Sequence, residues 1–383
     1  MAEHNEQRDR KTTRRKAFRL SSAGARKHQS PTMTTQPTEF EYLFRGRRFL
    51  QQGMWEQAAA DFSQALVINP AFAPAYYCRG LARRNSGDIP AAVQDFSAAI
   101  DADPDYAVAY YARGVIRRQQ EQFDLAILDY DRAIDLDPDD ADFFYARGVA
   151  QASMKRYEQA IEDFTEALRR NPNLPNAWYN LGIAHRDQGR REKALEYYSR
   201  AIALRPNDPD FYYARGNLFS DQRDYDRAVQ DYNLAIKLAP AFANAFYNRG
   251  IALRNLGEAA RALADFGQAQ QLGMATANLF SNRGAARNDL EDYQAALSDF
   301  DRALELDPSH ANSFLGRGNS WAGLGNLERA VEDCSRAIAA KPDLAAAFLA
   351  RAQALQSMGN RQQEAQQDME QYRKLTAPQQ DRP

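Results

Sequence analysis

The stretch AFYNRGIALRNLGEAARALADF, residues 245–266, sets an arginine, Arg249, on a helical face marked as apolar by Phe246 and Leu253, and follows it at once with Gly250. A charge on a packed face needs a partner close by, because an unpaired buried ion costs several kcal/mol. One period of 34 residues later the chain reads LFSNRGAARNDLEDYQAALSDF (279–300), and one period earlier DFYYARGNLFSDQRDYDRAVQDY (210–232). The arginine is thus the signature of a repeat unit. The period, rather than the length of 383 residues, decides the architecture.

Prolines at 70, 104, 138, 172, 206, 240, 308 and 342 keep the same spacing, with Met274 in the one missing slot. Counting from these, ten units start at 39, 73, 107, 141, 175, 209, 243, 277, 311 and 345. Position 8 of each unit is glycine, from Gly46 and Gly80 through Gly318, until Ala352 replaces it in the last. Position 20 is alanine from Ala58 through Ala330, and Ala365 takes that place after a one-residue insertion. Position 4 is always aromatic and position 24 mostly so, which puts small residues opposite rings where two helices would cross. Apolar spacing within each half is helical, and it breaks near positions 15–17, often at a glycine such as Gly53, Gly87, Gly189 or Gly257. Each unit therefore reads as a helical hairpin.

This pattern resembles the tetratricopeptide repeat (TPR) family over residues 39–378: an aromatic before Gly, then Ala-x-x-x-aromatic, then Pro, in 34 residues. Unit five, NAWYNLGIAHRDQGRREKALEYYSRAIALRP (176–206), is nearest the family's usual form, with Trp178, Leu181 and Gly182. The other units carry arginine where Leu181 stands and look like the Arg-Gly subtype of bacterial TPR arrays. The resemblance implies an all-α, right-handed α-solenoid. The last unit, AFLARAQALQSMGNRQQEAQQDMEQYRKL (347–375), is glutamine-rich and polar as a capping pair should be.

Position 7 is Arg45, Arg79, Arg113, Arg147, Arg215, Arg249, Arg283, Arg317 and Arg351, with Leu181 as the exception. Position 23 is Asp61, Asp95, Asp129, Asp163, Asp231, Asp265, Asp299, Asp333 and, after the insertion, Asp368, with Tyr197 as the exception. Both charges vanish in the same unit. A bond between successive units would strand Asp163 and Arg215, whereas pairing within each hairpin strands nothing. Nine intra-hairpin ion pairs are expected, and the bidentate fork of arginine on a carboxylate suits a fixed helix crossing.

In the family the first helices line a concave groove through positions 2, 5, 6, 9 and 13. Position 5 here is a run of tyrosines, Tyr77, Tyr111, Tyr145, Tyr179, Tyr213 and Tyr247, offering rigid amphipathic contact area or inter-helix packing. Asparagines occupy positions 2 and 6 as the pairs Asn176/Asn180, Asn244/Asn248 and Asn278/Asn282, with Asn312 alone. Residues four apart share a helix face, so each pair presents two amides to an extended peptide backbone. The arrangement resembles the asparagine ladder of O-linked N-acetylglucosamine transferases, interrupted here by Ala112, Ala146 and Ala214. Asp142, Asp187, Asp210, Asp221 and Asp289 favour basic or neutral peptides. The carboxylate clamp of some relatives needs lysine at position 5, where this chain has tyrosine.

The rest of the composition narrows the function by exclusion. His4, His28, His185 and His310 have no metal-ligand spacing, and no phosphate-cradling loop or nucleophile elbow occurs, so no catalytic residue, metal, cofactor or small-molecule substrate is expected. No apolar run approaches the roughly 18 residues of a membrane span. Cys78 and Cys334 are too few and too far apart for a disulfide framework and point to the cytoplasm. Residues 1–38 hold nine Lys/Arg against three Asp/Glu, +6, leaving −8 on the rest, so a disordered basic tail precedes an acidic array, and 379–383 form a short C-terminal tail. Met33 offers a second start, with 1–32 then untranslated. The expected role is a scaffold or adaptor that binds partner proteins in the groove. The alternative is a nucleic-acid-associated or self-regulated adaptor working through the tail, with Arg84, Arg118, Arg186 and Arg254 at position 12; the acidic array argues against nucleic acid. Homo-oligomerisation through the array ends stays open.

Overall fold

The computed structural model describes residues 37–377, and all of their regular structure is helical. The basic tail, apart from its last two residues, lies outside the described residues, as do residues 378–383. Ten hairpins follow one another. Units 1–5 are α1 (Glu39–Gln51) with α2 (Trp55–Ile68), α3 (Ala73–Ser86) with α4 (Ile89–Ala102), α5 (Ala107–Gln119) with α6 (Phe123–Leu136), α7 (Ala141–Ser153) with α8 (Tyr157–Arg170), and α9 (Pro175–Asp187) with α10 (Arg191–Leu204). Units 6–10 are α11 (Pro209–Asp221) with α12 (Tyr225–Leu238), α13 (Ala243–Asn255) with α14 (Ala259–Gln271), α15 (Ala277–Asp289) with α16 (Tyr293–Leu306), α17 (Ala311–Gly323) with α18 (Leu327–Ala340), and α19 (Ala345–Met358) with α20 (Gln362–Thr376). Each helix packs on its hairpin partner and on the neighbouring units, giving an all-α solenoid.

The hairpin is closed by the glycine at position 8. A Cβ on Gly250 would stand 2.7 Å from the ring of Phe266, itself fully buried, so only glycine lets α13 approach α14 this closely. The alanines at position 20 are at most 1 % exposed in every unit, as are those at position 27, from Ala65 through Ala337. Burying a ring of this size contributes about 2–3 kcal/mol per hairpin.

The turn inside each hairpin places position 15 in the left-handed region. Glycine stands there in units 1, 2, 5, 7, 9 and 10, but Glu121, Lys155, Arg223 and Glu291 adopt φ of 59–61° in the others. The following N–H bonds back to the carbonyl at position 11, as from Asp224 to Phe219 at 2.9 Å, which is the Schellman closure of a helix end. Backbone closure therefore imposes the conformation even where the residue does not favour it.

Candidate interaction groove

The nine arginines of position 7 each meet the aspartate of their own hairpin, with nearest N···O distances of 2.5–2.7 Å. Arg249 is typical: its Nε donates to Asp265 Oδ2 and its Nη2 to Oδ1, both at 2.7 Å. The same two-pronged contact joins Arg113 to Asp129 and Arg147 to Asp163, while Arg79–Asp95 and Arg283–Asp299 use Nε and Nη2 with Oδ1 shared. All nine aspartates are buried. Each guanidinium also lies over the aromatic ring at position 4, 5.3 Å from that of Phe246 for Arg249.

A further contact carries no signal in the sequence, because the residue identity changes from unit to unit. Arg249 Nη1 donates to Asn233 of the preceding hairpin at 2.6 Å, Arg79 and Arg215 donate to Ser63 and Ser199, and Arg147 and Arg317 pair with Asp131 and Asp301. Position 25 thereby ties successive hairpins together through the same arginine. Unit five makes this tie only forward, Ser199 accepting from Arg215, because Leu181 has no donor for the unit before it. Its Leu181 is buried, Tyr197 stacks on Trp178 at 5.7 Å, and Thr165 of the preceding unit turns its hydroxyl back to Ile161 O. Beside them His185 is buried with Nδ1 unpartnered, and burial together with Lys193 and Arg190 pulls its pKa below the ordinary histidine value.

The position-5 tyrosines wedge between repeats. Tyr77 meets Tyr106 edge-on at 5.6 Å, and Tyr111, Tyr179 and Tyr213 lie 5.1, 5.0 and 4.8 Å from Phe143, Phe211 and Phe242. Burial pushes the Tyr77 hydroxyl up to about 12. Tyrosines and asparagines come together across units: Asn180 Nδ2 donates to Tyr145 Oη at 3.1 Å, Asn248 to Tyr213 at 3.0 Å and Asn282 to Tyr247 at 2.9 Å. Asn248 also donates to Asn217 Oδ1 at 2.8 Å, which accepts from Tyr232 at 2.8 Å as well. Asn282 gives its other N–H to Asn278 O at 3.0 Å. At position 2, Asn176 accepts from Arg205 and Asn278 Oδ1 meets His310 Nε2, both at 2.9 Å, whereas Asn244 and Asn312 are exposed.

Arg186, Asn217, Asp221, Tyr232, Asn248 and Ile251 line one open cleft, so positions 12 and 13 share the face of positions 6 and 9. At positions 12 and 13, Asp187 is engaged by Arg186 at 2.7 Å and Asp289 by Arg254 at 2.6 Å. Cys78 and Cys334 are free and buried, and burial raises the Cys334 thiol to about 12. Among the described residues no cluster of His, Cys, Asp or Glu is placed to hold a metal ion, and no helix is long and apolar enough to cross a membrane.

Three family models match the chain: one tetratricopeptide repeat model over 145–209 and 284–355, a TPR repeat model over 46–87, 114–155 and 216–257, and another tetratricopeptide repeat model over 197–230. No curated protein matches it. Among solved structures, YrrB, described as a TPR protein with an unusual peptide-binding site, is 26 % identical with TM-score 0.44, covering 49 % of this chain and 97 % of its own. The Pseudomonas aeruginosa pilF protein is 22 % identical with TM-score 0.49, covering 59 % and 98 %. The APC/C hetero-tetramer Cut9–Hcn1 is 13 % identical with TM-score 0.50, covering 88 % and 87 %, a likeness of fold alone. With the 34-residue period, the ten helical hairpins and the three family-model matches together, the chain belongs to the tetratricopeptide repeat family and is built as a protein–protein interaction scaffold.

Proposed function

We propose that this protein is a non-catalytic cytoplasmic adaptor that holds extended segments of partner proteins along the first helices of its hairpins. The observation that carries this reading is the fixing of Asn180, Asn248 and Asn282 by tyrosine hydroxyls of the preceding unit. A side-chain amide has two N–H donors and one acceptor oxygen. In Asn248 and Asn282 both donors are engaged within the array, which leaves the oxygen as the group offered to a ligand. Oxygens held in this way accept N–H groups from an extended backbone with little loss of side-chain freedom on binding. Asn244 and Asn312 supply exposed amides at the rim, and the tyrosine rings act chiefly as the frame. Asp221, in the cleft beside Asn248, favours basic or neutral segments in this part of the groove.

The test is affinity capture from the source cell with the full chain and with Asn248→Ala/Asn282→Ala, both checked for an unchanged far-UV circular dichroism spectrum and melting curve. Proteins retained by the first and lost by the second support the groove as the working surface. Equal retention by both contradicts it.

A further inference from the structure

The concave face changes character along the array. At positions 2, 5, 6, 9, 12 and 13, units 1–3 carry Arg47, Arg84 and Arg118 and no carboxylate at all. Units 4–8 carry Asp142, Asp187, Asp210, Asp221 and Asp289 against only Arg186 and Arg254. Those two arginines are the ones already joined to groove aspartates. Arg47, Arg84 and Arg118 form no ion pair among the described residues and are half-buried. The charges of Arg47 and Arg84 offset part of the rise that burial causes at the Tyr77 hydroxyl. Between the arginines position 9 is aliphatic, with Leu81 and Val115 half-buried against the core.

We propose that units 1–3 form a docking surface for an acidic, aliphatic peptide segment of a partner protein. It deepens the groove reading above and rests on it. Guanidinium groups without carboxylates beside an apolar stripe are complementary to a segment that alternates carboxylates with aliphatic side chains. Arg84 and Arg118 occupy the same position in successive units, so they meet successive acidic residues of the segment, with aliphatic residues between them over Leu81 and Val115. The chain's own residues 1–38, with nine Lys/Arg against three Asp/Glu, carry the wrong charge for this surface.

The measurement is fluorescence anisotropy with a fluorescein-labelled PEVLEVLEP peptide, the same peptide with lysine replacing every glutamate, and a dT12 oligonucleotide. Each is titrated at low salt against the full chain, Arg84→Glu/Arg118→Glu, and Asn248→Ala/Asn282→Ala. The expected result is at least tenfold tighter binding of the acidic peptide than of the lysine peptide by the wild type. That preference inverts in the arginine variant and persists in the asparagine variant. Circular dichroism verifies folding, and Arg84→Gln/Arg118→Gln substitutes if charge reversal disturbs it. No binding of the acidic peptide, equal binding of both peptides, unchanged binding after loss of both arginines, or tighter binding of dT12 through the same arginines would each overturn the proposal. Acidic-peptide binding that depends on Asn248 and Asn282 but not on the arginines would leave the groove reading standing and sink this one.

Discussion

Replacing Asp265 by alanine removes both oxygens that receive Arg249, and the consequence follows from how that arginine is held. Its side chain is 18 % exposed, so most of the guanidinium cannot recover water when the carboxylate goes. It keeps the Asn233 contact at 2.6 Å and the ring of Phe246, which lessens the loss without abolishing it. Breaking one side of a buried pair costs about 3–5 kcal/mol, and the partial exposure places this one near ~3 kcal/mol. The transplant Arg249→Leu/Asp265→Tyr copies the Leu181/Tyr197 arrangement of unit five and should return the stability to within about 1.5 kcal/mol, since a buried pair adds little over a packed apolar substitute. The remaining deficit is the lost tie to Asn233. Repeat arrays unfold locally, so native-state hydrogen exchange on α13 and α14 is the suitable assay. The Asp265→Ala protein should exchange on the order of 100-fold faster there, at 1.4 kcal/mol per tenfold. If the single variant changes protection less than threefold, or the transplant is no better protected than the single variant, the pair does not hold the crossing and the reasoning fails.

Other outcomes can be checked on the same construction principles. Gly250→Ala forces a Cβ to 2.7 Å from the buried Phe266 ring and should destabilise by about 1–3 kcal/mol, read as a lower urea midpoint, with Phe266→Leu restoring part of it. Arg223→Gly relieves a left-handed residue at φ 61° and should stabilise by about 0.5–1 kcal/mol after the entropy glycine adds to the unfolded chain, read as a higher thermal midpoint. His185 has a folded pKa below its unfolded one, so the unfolded chain binds the proton first. Its contribution to stability is complete above about pH 6.5 and is lost as the pH falls from there through the lower folded value. Protection at α9 and α10, taken relative to intrinsic exchange at each pH, should therefore fall between pH 7 and 5 in the wild type and not in His185→Leu, and an equal fall in both would assign the effect elsewhere.

The sequence makes the hairpins legible because close crossings allow few residues: a glycine, an alanine and a ring recur at fixed spacing wherever two helices must touch. The register of the ion pairs is legible for a different reason, the joint replacement of arginine and aspartate in unit five. What stays hidden is set by closure or by shared geometry instead of residue type. Glu121, Lys155, Arg223 and Glu291 take the left-handed turn that glycine marks elsewhere, because the Schellman hydrogen bonds of the hairpin demand it. The position-25 ties use serine, asparagine and aspartate in turn and so show no period. Within the candidate groove, the tyrosines and asparagines are visible as separate runs, but their bonds join residues 35 apart, one more than the period. Counting aspartates alone also gives the groove a uniform acidic character, since only coordinates show Asp187 and Asp289 held by arginines while Arg84 and Arg118 form no ion pair among the described residues.

The central claim is that partners lie along the first helices of the hairpins, and hydrogen–deuterium exchange of the full chain with and without a captured partner tests it most directly. Slowed exchange should concentrate on odd-numbered helices, at α9, α13 and α15 for a partner that engages Asn180, Asn248 and Asn282. Protection confined to even-numbered helices, or to the two ends of the array, would contradict it.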